Sequence, residues 1–222
     1  MSAREGRAEG GRPRRQGPCG SGGPRRVEVL EKTRVYEGFM SLDRAVVRYE
    51  RYDGTMSPPV SRLTLERGDA VGVLLYDPVR DQVVLVEQFR YPAYAAGEPG
   101  WLIEIVAGTV QAGLDPLEVA RAEVREEAGY EVEELEPLAS CFLSPGGSSE
   151  RVHIYLGRIA VDERRWPGGG LAGEGEETRL CLLGRQEALQ RVREGAIADA
   201  KTIIALLTAF GWRPAAPSTR PS

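Results

Sequence analysis

Three glutamates, Glu123, Glu126 and Glu127, fall within five positions of the segment "AEVREEAGY" (122–130), with Arg125 the one cation among them. Like charges one turn apart on a helix repel by about 0.2–0.5 kcal/mol per pair. Oxygen-rich clusters of this kind suit hard divalent cations such as Mg²⁺. At about 100° per residue, with Glu123 at the origin, Glu127 lies near 40° and Glu126 near −60°. Leu117, Ala120, Val124 and Ala128 occupy about 60–140°, so an apolar stripe stands apart from the carboxylate arc. Spacing alone leaves a second reading open, a solvated acidic face with no chemistry. Other residue types offer less. His153 is the only histidine and alternates within the strand-like "RVHIYLG", which marks it as structural, and no second histidine exists for nucleophilic triads.

The elements that must position these acids are well punctuated. "DPLEVARAEVREEAG" reads as one helix: Asp115 caps it, Pro116 suits the first helical position, Glu118 stands where a capping-box acid belongs and Gly129 stops it. The tight "AGTVQAG" loop enters it from the strand "WLIEIVAG", which ends at Gly108, so the acids lie beside exposed backbone carbonyls. "DAVGVLLYD" and "DQVVLVEQF" are apolar strands around the turn "DPVRD". Strands follow at "LEPLASCFL", "RVHIYLGRIA" and "TRLCLLG", and helices at "RQEALQRVREG" and "DAKTIIALLTAFGW". Upstream, "RVEVLEKTRVY", "RAVVRYERY" and "PPVSRLTLER" form a small antiparallel piece, with Asp-Gly in "YDGT" as a hairpin signal. The expected class is α+β, helices packed over a mixed sheet. "PGGGLAGEG" (167–175) lacks the strand–turn–helix context of a dinucleotide fingerprint.

Composition bounds the rest. The chain has 222 residues, 41% hydrophobic, enough for one domain with an appendage. No apolar run approaches the roughly 20 residues of a membrane span. Residues 1–26 hold seven Gly, three Pro and seven Arg, lack an apolar core for a secretory signal, and read as a disordered tail. Seven arginines against two glutamates give that tail +5, whereas the whole chain is −4, which leaves −9 on the remainder. Such a body is no specific nucleic-acid binder, and an anionic substrate needs a local cation there. Cys19, Cys141 and Cys181 are odd in number and scattered, which suits a reducing cytoplasm and forms no metal-binding CxxC pair.

"GTVQAGLDPLEVARAEVREEAGY" (108–130) resembles the Nudix box, G-x5-E-x7-R-E-U-x-E-E-x-G-U. Gly108, Glu123, Val124, Glu126, Glu127, Gly129 and Tyr130 match in register, whereas Leu114 replaces the first box Glu and Ala122 the Arg. "YEGFMSLD", "LERGDAVGVLLYDPVRDQVVLVEQFRYPAY", "WLIEIVAG", "SPGGSSER" and "GLAGEGEE" are similar, in order, to segments of the ADP-ribose pyrophosphatases of that superfamily, over about residues 27–210. The implied organisation is tail 1–26, N-terminal β piece 27–66, Nudix domain 67–212 with an α/β/α sandwich, and C-terminal tail 213–222.

The resemblance implies roles residue by residue. Glu123 and Glu127, with the Ala107 carbonyl, would bind Mg²⁺ or Mn²⁺, and Glu126 would support the cluster. On "GLAGEGEE", Glu174 would be the general base and Glu176 a further metal contact. Phe39 and Met40 would contact adenine, Arg62 would meet the substrate, and Arg90 would contact the diphosphate or the terminal ribose. Ser144 and Gly146 of "SPGG" would lie near the ribose, with Glu150 close to the reaction centre and Thr109 beside the substrate. Ala122 would leave Glu126 without an i,i+4 arginine, and Leu114 lies off the glutamate arc. The implied protein is a cytoplasmic homodimer that hydrolyses ADP-ribose to AMP and ribose 5-phosphate. Hydrolysis of GDP-mannose or a UDP-sugar, and non-catalytic ADP-ribose binding, are the alternatives.

Overall fold

The computed structural model describes residues 25–170 and 177–211. Contacts divide the chain into two units, Met1–Leu65 and Glu66–Ser222. In the first, β1 (Val27–Glu37), β2 (Ser41–Tyr49) and β3 (Val60–Glu66, whose last residue crosses the boundary) form a three-stranded sheet in that order. β1 pairs antiparallel with β2, and its alternating charges find cross-strand partners: Arg44 meets Glu31 at 2.6 Å and Arg34 meets the buried Asp43 at 2.7 Å. Arg34 and then Lys32 hold the Asp43 carboxyl below the usual carboxylate range. The Asp-Gly turn forms as read. Gly54 takes φ +84°, and Asp53 accepts from the Thr55 amide and hydroxyl.

The second unit is built on a mixed sheet of seven strands. Its main path is β10 (Thr178–Gly184), β5 (Gln82–Phe89), β4 (Asp69–Asp77), β9 (Arg151–Arg158) and β8 (Leu135–Phe142). β6 (Trp101–Glu104) adds to β5, and β7 (Val106–Val110) to β4. Only the β4–β9 pairing among those described is parallel.

Side-chain alternation along β4 and β5 gives the sheet two apolar faces. Leu74, Val83 and Leu85 pack with α3 (Arg185–Arg193) and α4 (Ala200–Phe210) through Ala188, Leu189, Ala205 and Leu206. Val71, Val73, Leu75, Val84 and Val86 pack on the other face against Ala120, Val124 and Ala128 of the glutamate helix. The α/β/α layering is therefore present. α1 (Tyr91–Ala95) is a single short turn between β5 and β6.

Two elements depart from the sequence reading. "WLIEIVAG" is not one strand. The chain leaves β5 after Glu104 and joins β4 from Val106, with Ile105 at the break. The Ile105 amide there donates to Thr202 Oγ1 at 2.8 Å, so a helix side chain satisfies the group that a continuous ladder would have paired. The glutamate helix is also not uniformly α. α2 ends at Glu123 and a π-helical turn follows over Val124–Ala128. Its N-terminus matches the expectation, with Asp115 accepting from the Leu117 amide and Pro116 in the first turn.

Candidate active site at the glutamate helix and its facing strand

The π turn changes how the three glutamates are presented. An extra residue per turn advances each position by less than the α angle, so Glu127 and Glu126 are rotated from where 100° spacing puts them relative to Glu123. Glu127 turns inward: it is 2% exposed, and its Oε2 accepts from the Ala107 amide at 3.1 Å. The Glu123 carboxylate lies against Gly108, where an added Cβ would overlap it. Glu126 stays partly exposed. The structure thus brings Glu123 and Glu127 to one short stretch of β7, Ala107–Gly108. Glu126, the residue expected to support the cluster, precedes Glu127 on the same turn. Among the described residues no group of three or more His, Cys, Asp or Glu stands in a metal-holding arrangement.

Gly108 shows why the sequence is what it is here. A side chain at 108 would fill the space the Glu123 carboxylate takes, so glycine lets that carboxylate approach the strand and any substitution would displace it. Gly129 serves a second such contact. It ends the π turn at φ +75°, and its carbonyl accepts from the Arg165 and Trp166 amides at 2.9 and 3.1 Å. An added Cβ would collide with the Trp166 carbonyl. The Gly169 and Gly170 amides donate to the Glu127 and Glu126 carbonyls at 2.9 and 3.3 Å, and Thr178 donates back to Gly169 at 3.1 Å. The segment leading to residue 170 is pinned to the end of the glutamate helix, and the chain returns to the same place at Thr178. Glu174 and Glu176, between these anchors, lie outside the described residues.

Arg90 does not stand alone at the end of β5. Its Nε and Nη2 form a two-pronged pair with Glu104 at 2.9 and 2.8 Å. Glu104 is 1% exposed and also receives Lys201 at 3.5 Å. The Glu104 carboxylate raises the Arg90 pKa, and the Glu127 and Asp199 charges add to the shift in the same direction.

Thr109 and Glu150, distant in sequence, are joined by a residue the sequence reading missed. Arg67 Nε lies 3.4 Å from Glu150 Oε1, and its Nη2 donates to Thr109 Oγ1 at 3.4 Å. The "SPGG" segment is a turn in which the Ser144 carbonyl accepts from the Gly147 and Ser148 amides, leaving Ser144 and Gly146 exposed. Ser149 then donates to Glu66 at 2.6 Å. Phe39, Met40 and Arg62 belong to the first unit. Phe39 is 93% exposed, and Arg62 donates to the adjacent Ser61 carbonyl at 2.9 Å. Leu114 is exposed at the loop–helix junction, off the Glu123–Glu127 corner, as read. Ala122, half-buried, follows Arg121, which pairs with Glu118 and the Glu133 carbonyl instead.

The Glu104 miss had a visible signal, a lone carboxylate inside the apolar run "WLIEIV". Arg67, flanked by Glu66 and Gly68, offered none. An open groove of about 880 Å³ elsewhere in this unit is lined by Asp77, Tyr130, Glu131, Glu134 and Arg158 among others. It contains none of the predicted site residues. His153 bonds Ser140 across β8 at 3.3 Å and lies 3.7 Å from Asp69, a cross-strand polar contact in keeping with its structural reading.

The corner is chemically coherent. All donors near it are oxygens, one carboxylate is buried and oriented, and a glycine clears space for the other, which together fit a hard divalent ion. Comparison with known proteins agrees. The family model described as NUDIX domain matches residues 66–206. The ADP-ribose pyrophosphatase of Escherichia coli K12 is 44% identical over 181 residues, covering 81% of this chain and 86% of its own. That of Haemophilus influenzae is 38% identical over 184 residues, covering 81% and 84%. The GDP-mannose pyrophosphatase of Pectobacterium atrosepticum is 34% identical over 189 residues, covering 84% and 96%. A solved structure of an ADP compounds hydrolase superposes with a TM-score of 0.65 at 16% identity, covering 86% of this chain and 96% of that one, and so shares the fold.

Proposed function

The chain belongs to the NUDIX domain family, and from that premise we propose that it is a divalent-metal-dependent pyrophosphatase whose preferred substrate is ADP-ribose. The observation that carries this is the convergence of Glu123 and Glu127 on Ala107–Gly108. The 44% identity to ADP-ribose pyrophosphatases, against 34% to GDP-mannose pyrophosphatases, supports the substrate order. Water adds to one phosphorus of the diphosphate, the bridging P–O bond breaks, and AMP and ribose 5-phosphate leave with the two protons of that water distributed between them and solvent.

Glu123, Glu127 and the Ala107 carbonyl would hold Mg²⁺, or Mn²⁺ in its place, with Glu176 contributing from the 171–176 segment. The bound ion would neutralise diphosphate charge and lower the pKa of water. Glu127 is held for this task by the Ala107 amide, and Glu126 would support the cluster. Glu174 would take the proton of the attacking water. Arg67 holds Glu150 and Thr109 together, so it organises the side on which the ribose would lie. Ser144 and Gly146 would border that ribose. Arg90 would meet the diphosphate, and Phe39, Met40 and Arg62 the nucleotide end.

No helix among the described residues is long and apolar enough to cross a membrane. With Cys141 and Cys181 both free thiols, a cytoplasmic setting follows as part of this proposal. Every residue of β1 is exposed, including Val27, Val29, Leu30, Val35 and Tyr36, which supports a homodimer formed through this strand. Sedimentation should give twice the 24.3 kDa chain mass, and a monomer at assay concentration would refute that part.

The substrate order is tested by parallel kinetics on ADP-ribose, GDP-mannose, UDP-glucose and NADH with saturating Mg²⁺. The highest kcat/KM should fall to ADP-ribose. A higher value for GDP-mannose would move the assignment to the second group of relatives.

A further inference from the structure

Glu104 presents a problem that packing alone does not explain. It sits in an apolar strand end at 1% exposure, where an unpaired carboxylate is strongly disfavoured. A residue serving only to fill that space would be apolar, because replacing buried ion pairs by well-packed apolar groups is often neutral or stabilising. Instead the fold gathers two cations around it. Arg90 comes from the end of β5 and donates through Nε and Nη2, and Lys201 comes from the first turn of α4.

Lys201 is itself fixed. Its side chain is 14% exposed and bonds Asp199 Oδ1 at 2.7 Å, while Asp199 Oδ2 caps α4 by accepting from the Thr202 amide and hydroxyl at 2.9 and 2.7 Å. Thr202 Oγ1 in turn accepts from the Ile105 amide, next to Glu104. The helix thus grips both the Glu104 side chain and the backbone that follows it. Two residues beyond Ile105, the Ala107 amide holds Glu127.

The orientation of Arg90 follows from this. A two-pronged pair fixes the guanidinium plane as well as its position. Both nitrogens on one edge are used on Glu104, and the remaining terminal nitrogen lies outside that fork. The Arg90 side chain is 40% exposed although its carboxylate partner is buried, so one edge of the guanidinium is held by protein and the rest is open.

We propose that Glu104 and Lys201 are positioning residues for the reaction: clamped from α4, the buried carboxylate holds Arg90 in one orientation on the stretch of chain that leads, three residues on, to Ala107 and its bond to Glu127, with its outer nitrogen presented to an oxygen of the substrate's diphosphate. This rests on the diphosphate substrate of the proposed function. Glu104 and Lys201 act through Arg90 and touch no reacting atom.

A kinetic cycle on the full-length chain tests it, with ADP-ribose as substrate. Glu104→Gln should raise KM about tenfold with kcat within about threefold, because it loosens a binding group while the metal corner is kept. Arg90→Gln should raise KM at least as far. The deciding result is the double variant: with Arg90 gone, Glu104→Gln should add nothing, since its effect passes through that guanidinium. Lys201→Met should give a smaller KM increase that also vanishes on the Arg90→Gln background, and it serves as the second arm if Glu104→Gln does not fold. Losses that multiply in the double variants, or that follow a drop in melting temperature with no KM component, would overturn the inference while the parent remains active. A parent that releases no AMP from ADP-ribose would overturn the proposed function, and this inference with it.

Discussion

At the residue scale, the account turns on two carboxylates and the backbone they meet. Glu127 is buried but tied to an amide, and Glu123 occupies the space a side chain at position 108 would take. The identity of these two residues was legible in the spacing of "EVREE", since positions four apart share a helix face. Their partner was less so, because "AGTVQAG" reads as a loop whereas Ala107–Val110 pair with β4 as part of β7. Glu104 left a trace as the lone carboxylate in "WLIEIV", but the bridging role of Arg67 left none, because it depends on segments that meet only in the folded sheet. The proposed division between Glu174 and Glu176 has a kinetic signature. Glu174→Gln should lower kcat by about 10²–10⁴ at saturating Mg²⁺, as removal of a base does. Glu176→Gln should be partly rescued by raising Mg²⁺. Steady-state rates across a Mg²⁺ titration check both, and two variants that behave like the parent would place the base outside the 171–176 segment.

At the element scale, the sequence announced the helix boundaries through Asp115, Pro116 and Gly129, all of which hold. It did not announce the π turn, because apolar periodicity is read with a fixed angle and "VREEA" carries no distinct marker for a wider turn. It also missed the break at Ile105. A short, mostly apolar run looks the same whether it pairs with one strand or passes from β5 to β4. Asp77 is the element-scale anchor most open to test. Wholly buried at the end of β4, it accepts from the Val161, Arg80 and Val79 amides and from the Arg80 side chain. Those donors, the Val161 amide foremost, lower its pKa from 3.8 to about 2. A depressed folded-state pKa gives stability that is full above the unfolded value and is lost as pH falls from about 4 through about 2. Asp77→Asn should therefore melt well below the parent at pH 7, with the gap narrowing as pH drops through that window. A gap that stays constant down to pH 2 would show that the charge contributes nothing.

At the scale of the whole molecule, charge and chemistry fit together. Beyond its basic tail the chain carries −9, so a substrate with two phosphates meets an adverse field everywhere except where a cation is held. The Glu123–Glu127 corner is the proposed holder of that cation, with Arg90 fixed by Glu104. The sheet keeps the arrangement rigid by burying apolar side chains on both faces, one against α3 and α4 and the other against the glutamate helix itself. The helix that packs the core is thus the helix that presents the ligands, which is why fold class and site could both be read from one stretch of sequence. The most direct test of the central claim is product analysis of ADP-ribose incubated with the parent chain in Mg²⁺, beside a chelated sample and a Glu127→Gln variant. The account predicts equal amounts of AMP and ribose 5-phosphate from the parent, none above background after chelation, and a rate at least about a hundredfold lower for the variant. Undiminished release of AMP by the chelated sample or by Glu127→Gln, or no release by the parent, would contradict it.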